Sequence, residues 1–325
     1  MALAIVLCGG AANAAPPAQW TSRPPLNVAR VGAAYATVDG HPWVAAGFNF
    51  DDPEQLTSVE ARSGTGAWHL LSPIPTGRAN AGGPVLRGKV WVIGGDDAGD
   101  PPVGVVEIYD PRTGGWSAGP SLPAGRAAAG AAVLDGVLYV AGGYLAVGND
   151  EEVTATALAY EPRLRRWTPI APLPSARGRL RLAAVGGYLY AIGGQNAADD
   201  TVPLVDRYDP RSGTWRSVAA MHEDRGLPGV TVFGSGRSNR IAVIGGCHFA
   251  GGVLVELRRT TEVYDPAIGR WRLLAAQLPT GRCSLSAAAE TDGTVLAIGG
   301  AADTGPDGAA EPTAAVDALR VTATG

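Results

Sequence analysis

Apolar and polar positions along this chain recur in a fixed order. One stretch shows the unit: residues 127–134 are all small or apolar, Asp135-Gly136 interrupts, residues 137–141 are apolar on both faces, and Gly142-Gly143 ends the run. The two runs read as strands, Asp-Gly as the hairpin turn that joins them, and the short run 137–141 as a strand buried between neighbours. The first strand is rich in Gly and Ala, as suits inner strands that converge and leave no room for large side chains. A third strand is predicted to end at Tyr160 and a fourth to begin near Trp167. Short turns such as Thr113-Gly114-Gly115 and Arg211-Ser212-Gly213 join the third strand to the fourth in other copies.

The unit repeats. Glycine pairs stand at Gly94-Gly95, Gly142-Gly143, Gly193-Gly194, Gly245-Gly246 and Gly299-Gly300, with a weakened copy at Ala46-Gly47. An arginine precedes each pair (Arg30, Arg78, Arg126, Arg177, Arg225, Arg282), by 16 positions in the first four copies. Downstream come Tyr109, Tyr160, Tyr208 and Tyr264, and a tryptophan stands seven residues past each, at Trp116, Trp167, Trp215 and Trp271. Copy one keeps Trp68 and has Ala61 where the tyrosine belongs. The rings supply most of the large apolar area that packs between units.

Taken together, these offsets resemble the kelch repeat, and the resemblance runs from about Trp20 to Val321. It implies an all-β fold, a six-bladed kelch-type β-propeller, one four-stranded blade per arginine. The last copy lacks its tryptophan, but Trp20 precedes Arg30 by ten residues, the offset that separates Trp68 from Arg78. Residues 19–22 are therefore expected to complete the last blade, closing the ring and hiding its edges. The repeat arginines read as structural groups bonded to carbonyls of the neighbouring loop.

Composition narrows the function classes. A net charge of −4 argues against nonspecific nucleic-acid binding. No stretch approaches the ~18 apolar residues of a membrane span. Residues 1–14, apolar over 2–7 and ending Ala12-Asn13-Ala14, read as a secretory signal ahead of a single propeller over 15–325, which would make the protein periplasmic or secreted. No basic residue precedes the apolar run, and the run is short, so an unstructured cytoplasmic tail is the alternative. Apart from Cys8, the cysteines are Cys247, after the fifth glycine pair, and Cys283, after the sixth arginine. Both fall on one face in adjacent blades, so a disulfide is geometrically plausible. Two free thiols, or a metal site with His248 and His222, are the other readings, although the spacing matches no zinc pattern.

Long loops between the second and third strands share that face, and long loops on a rigid scaffold are where function concentrates. They carry 15 of the chain's 30 acids, among them Asp96, Asp150, Glu151, Glu152, Asp199 and Asp200, and only the fifth loop adds bases, Arg258 and Arg259. A solvated surface, a cation site and a face for a basic partner all fit that charge.

The resemblance also implies a site. Kelch propellers that bind peptides contact them two positions after the repeat arginine, just after the glycine pair, and through hydroxyls four before the tyrosine. Here the first class gives Gly32, Asn80, Ala128, Arg179, Leu227 and Ser284. The second gives Phe48, Asp96, Tyr144, Gln195, Cys247 and Ala301, and the third Thr156 and Thr260, with Ser58 by analogy. Of these, Arg179, Tyr144, Asn80, Gln195 and Asp96 would make a mixed polar mouth. The leading expectation is a monomeric module binding a protein, a peptide or a carbohydrate, with no cofactor and no nucleic acid. The alternative is a sugar-modifying enzyme that resembles the bacterial sialic acid mutarotase (N-acetylneuraminate epimerase). Arg179 would then anchor the sugar carboxylate and Asp96 would act as base, although that family's defining segments are not recognisable here. Resemblance to galactose oxidase stops at the propeller, because the four histidines (His41, His69, His222, His248) do not supply its copper site. An adaptor of the BTB–kelch type is not expected, because that class joins the propeller to a second domain and the apparent signal argues against a cytoplasmic scaffold.

Overall fold

A computed structural model describes residues 18–50, 55–96, 101–147, 150–303 and 310–321; the signal-peptide expectation at 1–14 lies outside them. Among these residues there is no α-helix, only one 3-10 turn at Gly236–Ser238, and thus no helix long and apolar enough to cross a membrane. Antiparallel sheets account for the rest. Six of them have four strands.

In chain order, sheet one comprises Ala34–Val38, His41–Ala45, Val59–Arg62 and Trp68–Leu71. Sheet two comprises Val85–Leu86, Lys89–Ile93, Val106–Asp110 and Gly115–Ala118. Sheet three is Gly130–Leu134, Val137–Ala141, Ala157–Glu161 and Arg166–Ile170. Sheet four is Arg181–Val185, Tyr188–Ile192, Val205–Asp209 and Thr214–Ser217. Sheet five runs Gly229–Phe233, Arg240–Ile244, Thr261–Asp265 and Arg270–Leu273. Sheet six has Ser286–Ala289, Thr294–Ile298 and Val316–Arg320, and takes its fourth strand from the other end of the chain, Thr21–Arg23. That strand pairs Thr21 with Ala318 and Arg23 with Val316, the closure expected from the Trp20 offset.

The inner strand of each sheet packs on the inner strand of the next, from sheet one round to sheet six and back, making a propeller. Six apolar clusters fill the spaces between successive sheets, and each joins side chains of two neighbours. Tyrosine and tryptophan of one sheet meet there: Tyr208 and Trp215 lie 5.1 Å apart and Tyr264 and Trp271 4.9 Å. The indole N–H also reaches back to the preceding copy, Trp215 to Ala171 O at 2.9 Å and Trp271 to Ala219 O at 2.8 Å.

The repeat arginines are all buried. Their guanidinium groups bond carbonyls as expected, but those of their own copy: Arg126 to Gly142 O at 2.9 Å, Arg177 to Gly193 O at 2.9 Å, Arg225 to Gly245 O at 2.8 Å. The neighbouring copy is held by the arginine's backbone carbonyl instead, which accepts from the preceding glycine pair, as in Gly143 N–H to Arg177 O at 2.8 Å. Five of the guanidinium groups also meet a carboxylate on the third strand: Arg30 with Glu60, Arg78 with Glu107, Arg177 with Asp206, Arg225 with Glu262 and Arg282 with Asp317. Copy three carries Leu158 at that place, opposite Val140, and Arg126 has no acid. Burial alone pulls its guanidinium down to about 10.

Two expectations are corrected. The inner strand of copy three begins at Gly130, because residue 127 is bridged to Tyr144 at the mouth instead. The tyrosine of copy one is replaced by Arg62, not Ala61, since a turn shorter by one residue sets Arg62 opposite Trp68. Arg62 is buried, lies 5.8 Å from the Trp68 ring and pairs with Glu290 of sheet six at 2.5 Å.

Candidate binding mouth

The residues two positions after each repeat arginine form a closed ring of backbone hydrogen bonds. Asn80 N–H donates to Gly32 O (2.8 Å), Ala128 to Asn80 (2.9 Å), Arg179 to Ala128 (2.9 Å), Leu227 to Arg179 (2.7 Å), Ser284 to Leu227 (3.0 Å) and Gly32 to Ser284 (3.0 Å). All six adopt left-handed backbone, with φ from 47° at Leu227 to 66° at Gly32. Five of them are not glycine, and each such residue costs about 1 kcal/mol. The hydrogen bonds and the packing beneath must offset that, so the ring is a rigid base for whatever side chains stand on it.

Those side chains and the ones after the glycine pairs do meet. Asn80 Nδ2 donates to the Asp96 carboxylate at 3.0 Å. Burial pushes Asp96 up to about 6, and Glu151 adds to this while the Asn80 hydrogen bond and the Arg179 charge oppose it. Tyr144 donates its hydroxyl to Gln195 Oε1 at 2.8 Å, and Gln195 Nε2 donates to Asp199 O at 2.8 Å. The Tyr144 ring lies on Gly178, where any Cβ would stand 2.1 Å from a ring carbon. Burial raises the Tyr144 hydroxyl above its usual range. Arg179 places its guanidinium 4.7 Å from the centre of the Phe249 ring and 5.9 Å from that of Tyr144, a cation between two aromatic faces.

Other expected residues sit elsewhere or are already engaged. Thr156 accepts from Arg126 Nη2 at 2.7 Å, and Thr260 accepts from Arg225 and donates to Glu223. Both hydroxyls are therefore part of the arginine cradles, as is Ser58 with Arg30 at 2.8 Å. Ser284 is buried beside Cys283. Cys247 and Cys283 are paired as a disulfide with Cα atoms 5.0 Å apart, inside an apolar cluster with Ala128 and Leu227 that Tyr144, Phe249 and Leu257 cover. One side of the mouth is consequently apolar, not mixed polar throughout. The two histidines do not join the cysteines as ligands: His222 Nδ1 lies 2.7 Å from Glu262 and His248 Nδ1 2.5 Å from Asp224. Acids at 51, 52, 54, 97, 100 and 307 lie outside the described residues.

One cluster was missed in the sequence. Asp224 gathers His248, the Thr201 hydroxyl and Arg258 Nη2, the last at 2.9 Å. Burial works against its charge, but the hydrogen bonds from Thr201 and His248 and the charge of Arg258 outweigh it and hold Asp224 below the usual carboxylate range. Thr201 accepts the Phe249 N–H at 3.1 Å, which ties the cluster to the wall behind Arg179. The signal was available: Asp224 stands where other copies have Ala29, Gly77, Gly125, Ala176 and Gly281.

Two hairpins rise from this rim, Tyr144–Val147 with Asp150–Val153 and Cys247–Ala250 with Val253–Leu257. Their exposed apolar side chains include Val147, Val253, Leu254 and Val255.

The sequence matches the family description "Kelch motif" three times, over residues 77–123, 125–174 and 176–222. The chain is a kelch-repeat protein. Among curated kelch relatives it is 30% identical over 169 residues to human Kelch-like protein 34, covering 49% of this chain and 25% of that one. It is 33% identical over 146 residues to human Kelch-like protein 35, covering 44% and 22%. The chain thus spans about a quarter or less of the length of these relatives. Among solved structures, that of YjhT superposes with a TM-score of 0.76 over 93% of this chain and 97% of the other, at 16% identity, a likeness of fold. The three kelch matches cover copies two, three and four, whose arginines Arg78, Arg126 and Arg177 head them.

Proposed function

We propose that this kelch propeller is a binding module that takes a protein or peptide segment at the mouth. The observation that carries the reading is Arg179, a cation held between the Tyr144 and Phe249 rings on a rigid backbone ring, beside two hairpins with exposed apolar side chains. Such a surface suits an acidic side chain flanked by apolar ones: the carboxylate meets Arg179 and the apolar neighbours meet Val253, Leu254 and Val255. Peptide selection on the immobilised full chain tests this. Selected peptides should share an acidic–apolar pattern, and Arg179→Ala should weaken them at least tenfold with the melting temperature unchanged. Selected peptides that bind Arg179→Ala as well as the wild type would remove the mouth from the reading.

A second reading, a carbohydrate ligand and chemistry of the sialic acid mutarotase type, is favoured by Asp96. A carboxyl titrating near 6, bonded to Asn80 and within the field of Arg179, can exchange a proton near neutral pH. Proton NMR of sialic acid anomers decides it: equilibration no faster than in buffer ends the enzyme reading. Export to the periplasm or medium and a monomeric state belong to the same proposal. Fractionation with N-terminal sequencing checks the first, and light scattering the second.

A further inference from the structure

Four residues after the repeat arginine, five copies carry Ala34, Gly82, Gly130, Gly229 and Ser286. Inner strands converge there. A Cβ on Gly82 would stand 2.6 Å from that of Ala131, and one on Gly130 would stand 2.7 Å from the Leu182 side chain. Sheet four carries Arg181 at this position, only 8% exposed. Its Nε donates to Pro228 O at 3.1 Å, and its guanidinium lies 5.7 Å from the centre of the Tyr35 ring. Tyr35 is itself an outlier, standing where other copies have Gly83, Ala131, Leu182, Val230 and Ala287. Its hydroxyl donates to Val230 O at 3.2 Å and accepts from Val230 N–H at 3.3 Å, so the ring reaches across the axis from sheet one to sheet five.

Arg181 and Tyr35 line an axial cavity of about 90 Å³, completed chiefly by Gly82, Gly83, Pro84 and Ala129. A larger space of about 260 Å³ adjoins it through Tyr35 and Gly83. No Asp or Glu lines either one. Among the described residues no carboxylate pairs with Arg181, and neither of its terminal nitrogens has a partner there. They are left to face the cavity. A guanidinium does not shed its proton, so Arg181 calls for a counter-charge. Five of the repeat arginines have a carboxylate for that, and Arg126 spreads its charge over two carbonyls and a hydroxyl. Arg181 has one carbonyl and an aromatic face.

We propose that the axial channel is a binding site for a small inorganic monoanion of the halide class, held by the terminal nitrogens of Arg181 beside Tyr35. The cavity has room for such an ion with water beside it. The anion would neutralise Arg181 and join sheets four and one through the residues that hold it.

The test is thermal melting of the full chain at fixed pH and ionic strength, with gluconate replaced stepwise by bromide. The wild type should show a saturable rise of about 2–4 °C, and Arg181→Met should show none. Crystals grown in bromide should show an anomalous peak within hydrogen-bonding reach of the Arg181 terminal nitrogens. Equal responses in both proteins, no response in the wild type, or crystals with water alone at the guanidinium would overturn the site. Should Arg181→Met fail to fold, the bromide peak in wild-type crystals decides by itself.

Discussion

Arg126 and Arg177 occupy the same place in adjacent sheets and differ in what Nη2 meets, the Thr156 hydroxyl at 2.7 Å for Arg126 and the Asp206 carboxylate for Arg177. Each donates to a glycine-pair carbonyl at 2.9 Å and to a second carbonyl, Thr156 O at 2.8 Å or Leu204 O at 3.0 Å. Only Arg177 also meets a carboxylate, that of Asp206, which is buried. Burial lowers both guanidinium groups, and only at Arg177 does a negative charge oppose it. Replacing either by Met removes similar packing and strands two carbonyls, so those costs largely cancel between the variants. Arg177→Met additionally strands Asp206, whose one remaining side-chain partner is Ser217 at 2.7 Å. Removing one member of a buried pair costs ~3–5 kcal/mol, so Arg177→Met should be less stable than Arg126→Met by about 3 kcal/mol. Urea unfolding at neutral pH measures that gap. It should narrow in acid, where the stranded carboxyl can take up a proton, and Arg177→Met/Asp206→Leu should close most of it, because copy three already carries Leu158 there. Variants equal within ~0.5 kcal/mol, or a gap indifferent to pH, would refute the charge argument and leave packing as the reason for the repeat arginines.

Removing residues 18–25 takes away the Thr21–Arg23 strand and Trp20, and opens the ring between sheets six and one; cooperative unfolding by calorimetry should be lost. The carboxyl of Asp96 is raised from 3.8 to about 6, so its contribution to stability is full below about pH 4 and is lost as pH rises through 6. Asp96→Asn should therefore be more stable than the wild type at pH 7, by about 1–2 kcal/mol, and the advantage should vanish near pH 4 in denaturation curves. The Cys247–Cys283 bond closes a loop with a sequence separation of 36, and its reduction should lower stability by ~2–4 kcal/mol. Thiol titration of the unreduced protein under denaturing conditions should find both sulfurs blocked.

Much of the scaffold was legible because a repeat multiplies weak signals. One Gly-Gly pair says little. Six copies headed by an arginine, four of them with tyrosine and tryptophan seven residues apart, define strands, turns and ring closure, since each offset is set by local strand length and turn chemistry. The misreading at Ala61 shows the limit: a turn shortened by one residue shifts the opposite partner to Arg62, and counting along the chain cannot detect it. Departures from the repeat carried the rest of the information. Asp224, Leu158, Arg181 and Tyr35 each replace a residue type that other copies keep, and each marks a place where the structure does something that the repeat does not.

By itself, then, the sequence determined the kelch architecture and its closure by the first strand, because both follow from local periodicity and turn residues. Which side chains meet at the mouth was decided only by the tertiary structure. Thr156 and Thr260 turned inward to the arginines, while Arg179 came to rest between Tyr144, from the copy before it, and Phe249, from the copy after it. Val230 holds the Tyr35 hydroxyl across a separation of 195 residues. Contacts of that kind depend on the angle at which sheets converge on the axis and on the space left there, quantities that belong to the closed ring and to no single repeat.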